Sequence, residues 1–254
     1  MIIEYHRPHT MEEALSLLGR SAPPTVPLGG GTSLSRYRKQ SIAVVDIQAL
    51  PLHATRVEGQ NLKIGAGVKL QGLLEDPQSP AVLVDVIRAE ASHNLRQMAT
   101  AGGTLVSGGG HSPFAAVCLA LDAQLTWEPG GKEISLGDWL ATKKADLPFG
   151  ALMTQITLPL NARAAYHAVG RSPADVALVM ASAARWPSGR TRIVIGGRLM
   201  ERVVLVLDGT DSSGAIETAV NACSHYFTSR YSVEFIEHEI TTLTARCLRD
   251  VEVK

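Results

Sequence analysis

Two glycine-rich segments constrain this chain more than anything else in it. The first is Gly29-Gly30-Gly31-Thr32-Ser33-Leu34, at the end of the short run Val26-Pro27-Leu28. The second is Ala99-Thr100-Ala101-Gly102-Gly103-Thr104, followed at once by Gly108-Gly109-Gly110. Without a Cβ, consecutive glycines accept positive φ and let successive backbone N–H groups converge on one point. Such a concavity binds anions, phosphate above all, with no charged side chain. Two of them, each after a strand-like or apolar segment and each carrying hydroxyl residues, point to a nucleotide. Neither follows the commoner templates. No Gly-x-x-x-x-Gly-Lys-Ser/Thr run occurs, which excludes a P-loop. Gly-x-Gly-x-x-Gly with an acidic residue about twenty positions on is also missing at both places.

Lys plus Arg and Asp plus Glu balance at 24 each, and aromatics make up 5% of the 254 residues. No net field recruits nucleic acid or an anionic membrane. Nothing in the chain has the length and apolarity of a membrane span. Met1 to Pro8 lacks the charged-then-apolar pattern of a secretory signal. Cys118, Cys223 and Cys247 are too far apart for an iron–sulfur or zinc spacing. They read as three reduced, buried thiols of a cytoplasmic protein.

Thr10-Met11-Glu12-Glu13 is a capping box, and Met11, Ala14, Leu15 and Leu18 follow at helical spacing up to Gly19. Strands are expected at 43–47, 62–68, 124–128 and 152–158, and helices at 70–74, 81–90 and from Pro113 to Leu121. Pro187-Ser188-Gly189-Arg190 marks the turn of a hairpin between 183–186 and 191–195. Helical patterns at 216–226 and 233–249 close the chain. The alternation is that of an α+β domain ending near residue 160, then a smaller domain.

In this order and company, the motifs resemble the FAD-binding medium subunit of the molybdenum hydroxylases, the family of xanthine and carbon monoxide dehydrogenases. The resemblance begins at Tyr5-x-x-Pro8 and Glu13-Ala14-Leu15-x-Leu17-Leu18. It continues through Gly29 to Leu34, Val45-Asp46-Ile47, Leu62-x-Ile64-Gly65-Ala66 and Leu95-Arg96-x-x-Ala99-Thr100-x-Gly102-Gly103. Gly170-Arg171, Asp175-Val176-Ala177, Arg192-Ile193-x-Ile195-Gly196-Gly197 and Arg230-Tyr231-Ser232-x-Glu234-Phe235 carry it to the C-terminal part.

The resemblance implies a two-subdomain FAD-binding domain of the vanillyl-alcohol-oxidase (PCMH) type over residues 1–160, divided near 56. A smaller α/β C-terminal domain follows over 161–254. It also implies FAD as cofactor, held by Leu28, Gly29, Gly30, Gly31, Thr32, Ser33, Leu34, Ala101, Gly102, Gly103, Thr104, Gly110, His111, Ser112, Met153 and His167. Three positions depart from the family pattern. Thr104 stands where the family has Asn, Pro113 where it has Asp, and His167 where a Lys is common.

The implied role is electron transfer. Partners are a molybdopterin-binding large subunit and a [2Fe–2S] small subunit, the heterotrimer being doubled; the acceptor is left open, NAD being one such acceptor. Two other readings compete: a stand-alone flavin oxidoreductase of the same fold, and an assembly subunit that has lost its flavin. Asp46 and Asp85 read as structural carboxylates, and Trp127, Trp139 and Trp186 as core or domain-edge residues. No nucleophile–base arrangement is argued by the spacing, and no catalytic or metal-ligating residue is expected.

Overall fold

A computed structural model describes residues 1–34, 41–142, 147–172, 175–223 and 231–252. Arg230 and the expected helical residues 224–226 lie outside them. The elements in chain order are β1 (Ile2–His6), α1 (Met11–Leu18), β2 (Thr25–Leu28), β3 (Ile42–Asp46), β4 (Thr55–Glu58), β5 (Asn61–Gly65), α2 (Leu70–Glu75), α3 (Ala81–Glu90), α4 (His93–Arg96), α5 (Ala101–Ser107) and α6 (Pro113–Ala120). Then come β6 (Gln124–Glu128), β7 (Lys132–Ser135), α7 (Leu136–Thr142), β8 (Leu152–Pro159), β9 (Arg163–Val169), β10 (Val179–Arg185), β11 (Thr191–Gly196), β12 (Val204–Gly209), α8 (Ala215–Cys223) and α9 (Val233–Glu252).

Two compact units result. The first comprises residues 1–78, 91–107 and 124–157, the second 79–90, 108–123 and 158–254. This division differs from a single boundary at residue 160, and α6 is the reason. Its eight residues are apolar all round and every one is buried. A helix without a polar face needs cover on all sides. It packs against α3 and against β10 and β11, so both helices join the C-terminal segment.

Unit 1 holds a parallel three-stranded sheet, β1-β3-β2, and a five-stranded sheet, β4-β5-β8-β6-β7. Strand β3 is central and buried at all five positions, as expected where a parallel strand is covered on both faces. Asp46 ends it with a carboxylate that caps the following turn by accepting from Gln48 N–H at 2.9 Å. In α1, Thr10 Oγ1 accepts the Glu13 amide at 3.2 Å. The Glu13 carboxylate accepts the His9 amide in return, also at 3.2 Å.

Unit 2 is built on the antiparallel sheet β12-β11-β10-β9. Val179, Ala181 and Ala183 join the apolar cluster with Ile236, Ile240 and Leu243 of α9. Side chains alternate across a strand, so the residues between them serve the opposite face, where α6 packs. Cover on both faces explains why six of the seven β10 residues and all six of β11 are buried. The hairpin closes as expected, with Gly189 at φ +86° and the Trp186 amide donating to the Arg190 carbonyl at 2.9 Å. Beyond α6, Asp122 adopts φ +56°. Its carboxylate pairs with buried Arg192 and, at 2.9 Å, with Arg190. Arg190 grips Asp208 of β12 with two bonds of 2.7 and 2.8 Å. Those bonds hold the Asp208 carboxyl below its ordinary range.

Candidate functional site

The large cavity of unit 1 measures about 760 Å³. Its walls are the turn after β2, the first residues of α5, and residues 147–153 leading into β8. Among the described lining residues no side chain is charged. The donors the cavity offers are backbone amides and the hydroxyls of Thr32, Ser33, Thr100 and Ser107.

The turn after β2 supplies the amides. Gly31 takes φ +72°, a conformation open mainly to glycine, and it swings the chain away from β2. Among the described residues, no protein acceptor is found for the N–H groups of Gly30, Gly31, Thr32 or Ser33. Partly buried amide donors without partners are costly unless a ligand or water accepts from them. Four in a row on a cavity wall have the chemistry that suits an anion.

The second glycine segment works differently. The sequence reads it as a turn, yet residues 101–107 form α5. Its leading amides are already taken. Ala101 N–H donates to the Val68 carbonyl at 2.8 Å, and Gly102 N–H to the Ala66 carbonyl at 2.9 Å. Gly103 N–H donates to Thr100 Oγ1 at 3.1 Å. Thr100 is thereby the N-cap. The glycines here allow close packing rather than donating. A Cβ on Gly102 would lie 2.7 Å from Ala66 Cβ, and Cβ atoms on Gly29 and Gly103 would each lie 2.7 Å from Thr100 Oγ1. Thr100 is wedged between the two glycine motifs and locks them together.

Of the residues expected from sequence, Gly29, Gly30, Gly31, Thr32, Ser33, Leu34, Gly102, Gly103 and Met153 share this cavity wall. Leu28 ends β2 beneath them, with Cδ1 3.4 Å from the position of a Cβ on Gly31. Ala101 and Thr104 are buried in α5, where the Thr104 hydroxyl donates to the Thr100 carbonyl at 2.9 Å. Gly110, His111, Ser112 and His167 belong to unit 2. Gly110 packs on the Met200 backbone and donates its amide to the Glu201 carbonyl at 3.0 Å. His111 is exposed. Ser112 caps α6 by accepting the Ala115 amide at 3.1 Å and donates its hydroxyl to Glu90 at 2.8 Å. His167 Nε2 lies 2.7 Å from Asp250 of α9. That bond holds the Asp250 carboxyl below its ordinary range.

Sequence reasoning missed Thr100, Trp127 and residues 147–151 on the wall. Thr100 carried a signal, a hydroxyl three residues before Gly103. Phe149, 72% exposed at the cavity, carried none, because one aromatic in a loop has no periodicity to betray it.

Residues 1–161 match the family described as the FAD binding domain in molybdopterin dehydrogenase. The chain is an FAD-binding subunit of the molybdenum hydroxylase family. It is 30% identical over 200 residues to an uncharacterized protein of Escherichia coli, YgfM, covering 78% of this chain and 75% of that one. To the carbon monoxide dehydrogenase medium chain of Hydrogenophaga pseudoflava it is 29% identical over 202 residues, covering 74% and 70%. The solved carbon monoxide dehydrogenase of that organism superposes with a TM-score of 0.81 at 22% identity, over 99% of this chain and 97% of the other. Quinoline 2-oxidoreductase from Pseudomonas putida gives 0.79 at 22% identity, over 98% and 96%. These two similarities show the fold.

The cofactor of this flavin subunit is FAD. The residues present fit it. The volume lies in the range of cofactor pockets. Four vacant amide donors suit a diphosphate, and Val106, Leu147, Phe149 and Met153 offer apolar wall.

Proposed function

We propose that this flavin subunit receives electrons from the [2Fe–2S] clusters of a small partner subunit and delivers them to an acceptor such as NAD. A molybdopterin-binding large subunit would oxidise the organic substrate, in a heterotrimer that doubles, in the cytoplasm. The observation carrying this reading is the cavity with its four vacant amides, in a chain whose own thiols offer no cluster ligation. Cys118, Cys223 and Cys247 are free and buried. Burial pushes the Cys118 thiol far up, and those of Cys223 and Cys247 to about 12. A cluster needs several thiolates brought together, and among the described residues no such group of ligands occurs. Unpaired thiols also suit a reducing compartment.

FAD, when bound, supplies a centre that exchanges electrons singly with clusters and in pairs with a hydride acceptor. The chain's task is to hold it. Gly30 to Ser33 would fix the diphosphate through backbone N–H groups, Thr100 would keep their loop seated on α5, and the apolar wall would exclude water from the ring. Relatives support the partner assignment, one being the alpha subunit of the 6-hydroxypseudooxynicotine dehydrogenase complex of Paenarthrobacter nicotinovorans, 29% identical over 240 residues.

The test is purification from the native source under mild conditions. A large molybdenum subunit and a small iron–sulfur subunit should accompany the chain, and NADH should bleach its flavin band near ~450 nm, which belongs to the cofactor. Full oxidation of an organic substrate by the isolated chain would overturn the proposal.

A further inference from the structure

Behind the cavity wall, a single carbonyl decides where Gly30 sits. A Cβ at Gly30 would lie 1.7 Å from the Met98 oxygen and 2.4 Å from its carbon. The loop therefore rests directly on that peptide group. The Met98 carbonyl receives a hydrogen bond of 2.9 Å from Lys69 Nζ. Among the described residues no backbone donor reaches it. The Lys69 backbone is stitched to the same segment. It forms an antiparallel bridge with Thr100, and its neighbours donate and accept there: Leu70 N–H to the Ala99 carbonyl at 2.9 Å, and Ala101 N–H to the Val68 carbonyl at 2.8 Å.

Lys69 is half-buried at the N-terminus of α2 without capping that helix, so its ammonium is free to serve the Met98 carbonyl. Burial lowers its pKa, and the nearby Asp46 carboxylate pulls it back up. Asp46, in turn, accepts a hydrogen bond from Tyr5 and lies 4.0 Å from Arg7. The cavity itself has no charged side chain among its described residues. A lysine one carbonyl behind the cradle thus gives the platform of the loop a positive charge.

We infer that Lys69 is a positioning residue for the flavin loop: its ammonium pins the Met98 carbonyl against Gly30 and so sets where the amides of Gly30 to Ser33 point. This rests on the reading that the cavity holds FAD. Lys69→Met keeps the aliphatic stem and removes the donor and the charge. Lys69→Arg restores both.

The experiment titrates FAD into the apo forms of the wild-type chain and both variants, following flavin fluorescence, and records the melting temperature of each apo-protein. Lys69→Met should bind FAD about five- to tenfold more weakly, a change of about 1 kcal/mol, with its apo melting temperature unchanged. Lys69→Arg should return to within about twofold of wild type, since a guanidinium also donates to a carbonyl. Wild-type affinity in Lys69→Met overturns the inference. So does a weakening matched by a fall in apo melting temperature, or one that Lys69→Arg leaves unrepaired. Failure of the wild-type chain itself to take up FAD strikes at the cavity assignment, and is distinguishable because no variant is then needed to see it.

Discussion

Gly30→Val should purify with little or no flavin and bind added FAD at least a hundredfold more weakly than wild type. The first atom of the new side chain meets the Met98 carbonyl at 1.7 Å, and the obstacle is backbone, not a flexible side chain. That carbonyl is tethered by Lys69, so the loop gives way instead. Shifting Gly30 carries Gly31, Thr32 and Ser33 with it. Each amide that misses its charged phosphate acceptor forfeits about 1.5–3 kcal/mol, and three or four together exceed the ~2.7 kcal/mol of a hundredfold loss. Overpacking alone costs about 1–3 kcal/mol, or roughly 2–12 °C in melting temperature for a chain of this size. The ratio of flavin to protein absorbance reads the first effect, and a thermal melt the second. Gly31→Ala is the contrast. Its Cβ meets only Leu28 Cδ1 at 3.4 Å, although φ is +72°. Strain of about 1 kcal/mol should leave most flavin bound. Full flavin content in Gly30→Val would mean that the loop does not need its seat on Met98.

Pro113→Asp, which restores the carboxylate usual in the family, should destabilise the protein rather than improve it. Pro113 is the first residue of α6 and is buried. Its neighbours already serve another carboxylate: Ser112 Oγ donates to Glu90 Oε2 at 2.8 Å, and Phe114 N–H to the same oxygen at 3.0 Å. Glu90 thus sits at the positive end of a fully buried helix, where an anion is favoured. Burial nonetheless raises its carboxyl above the ordinary value, the two hydrogen bonds offsetting only part of the shift. A second carboxyl beside it raises both further, because like charges share a poorly solvated site. A carboxyl with a raised folded-state pKa contributes stability below its unfolded value, about 4. That contribution is lost as pH rises through the raised value. The deficit of Pro113→Asp against wild type should therefore be small near pH 4 and reach about 3–5 kcal/mol at neutral pH, the scale of an uncompensated buried charge. Urea unfolding at the two pH values measures it. A variant at least as stable as wild type at neutral pH would show that the new carboxylate finds a partner of its own.

How legible the chain was depended on which atoms carry the information. Strand β3 and the β10–β11 hairpin were readable because their burial appears as apolar runs around a Gly turn. Helix α5 was not. Two glycines cost a helix about 1 kcal/mol each, and only tertiary partners, the Val68 and Ala66 carbonyls and the Thr100 hydroxyl, make that turn helical. Strands β1 and β4 are largely exposed and left no alternation to find. The position of the first glycine loop was legible, and so was its offer of backbone amides. What the sequence did not show is that the missing Cβ of Gly30 makes room for the Met98 carbonyl. Thr104 and Ser112, named from the family pattern, spend their hydroxyls within the protein, on Thr100 and Glu90. Lys69 gave no signal at all, since a half-buried lysine before a helix looks like any other.

Hydrogen–deuterium exchange with and without FAD tests the central claim most directly, that the amides of Gly30 to Ser33 hold the cofactor. In the apo-protein, peptides spanning residues 29–34 should exchange fast, because the amides of Gly30 to Ser33 have no acceptor among the described residues. Peptides over 101–104 should exchange slowly, their amides being bonded already. Saturating FAD should slow 29–34 strongly and leave 101–104 almost unchanged, since exchange reports the opening of hydrogen bonds that exist. FAD that binds while protecting 101–104, with residues 29–34 exchanging as in the apo-protein, would contradict the account.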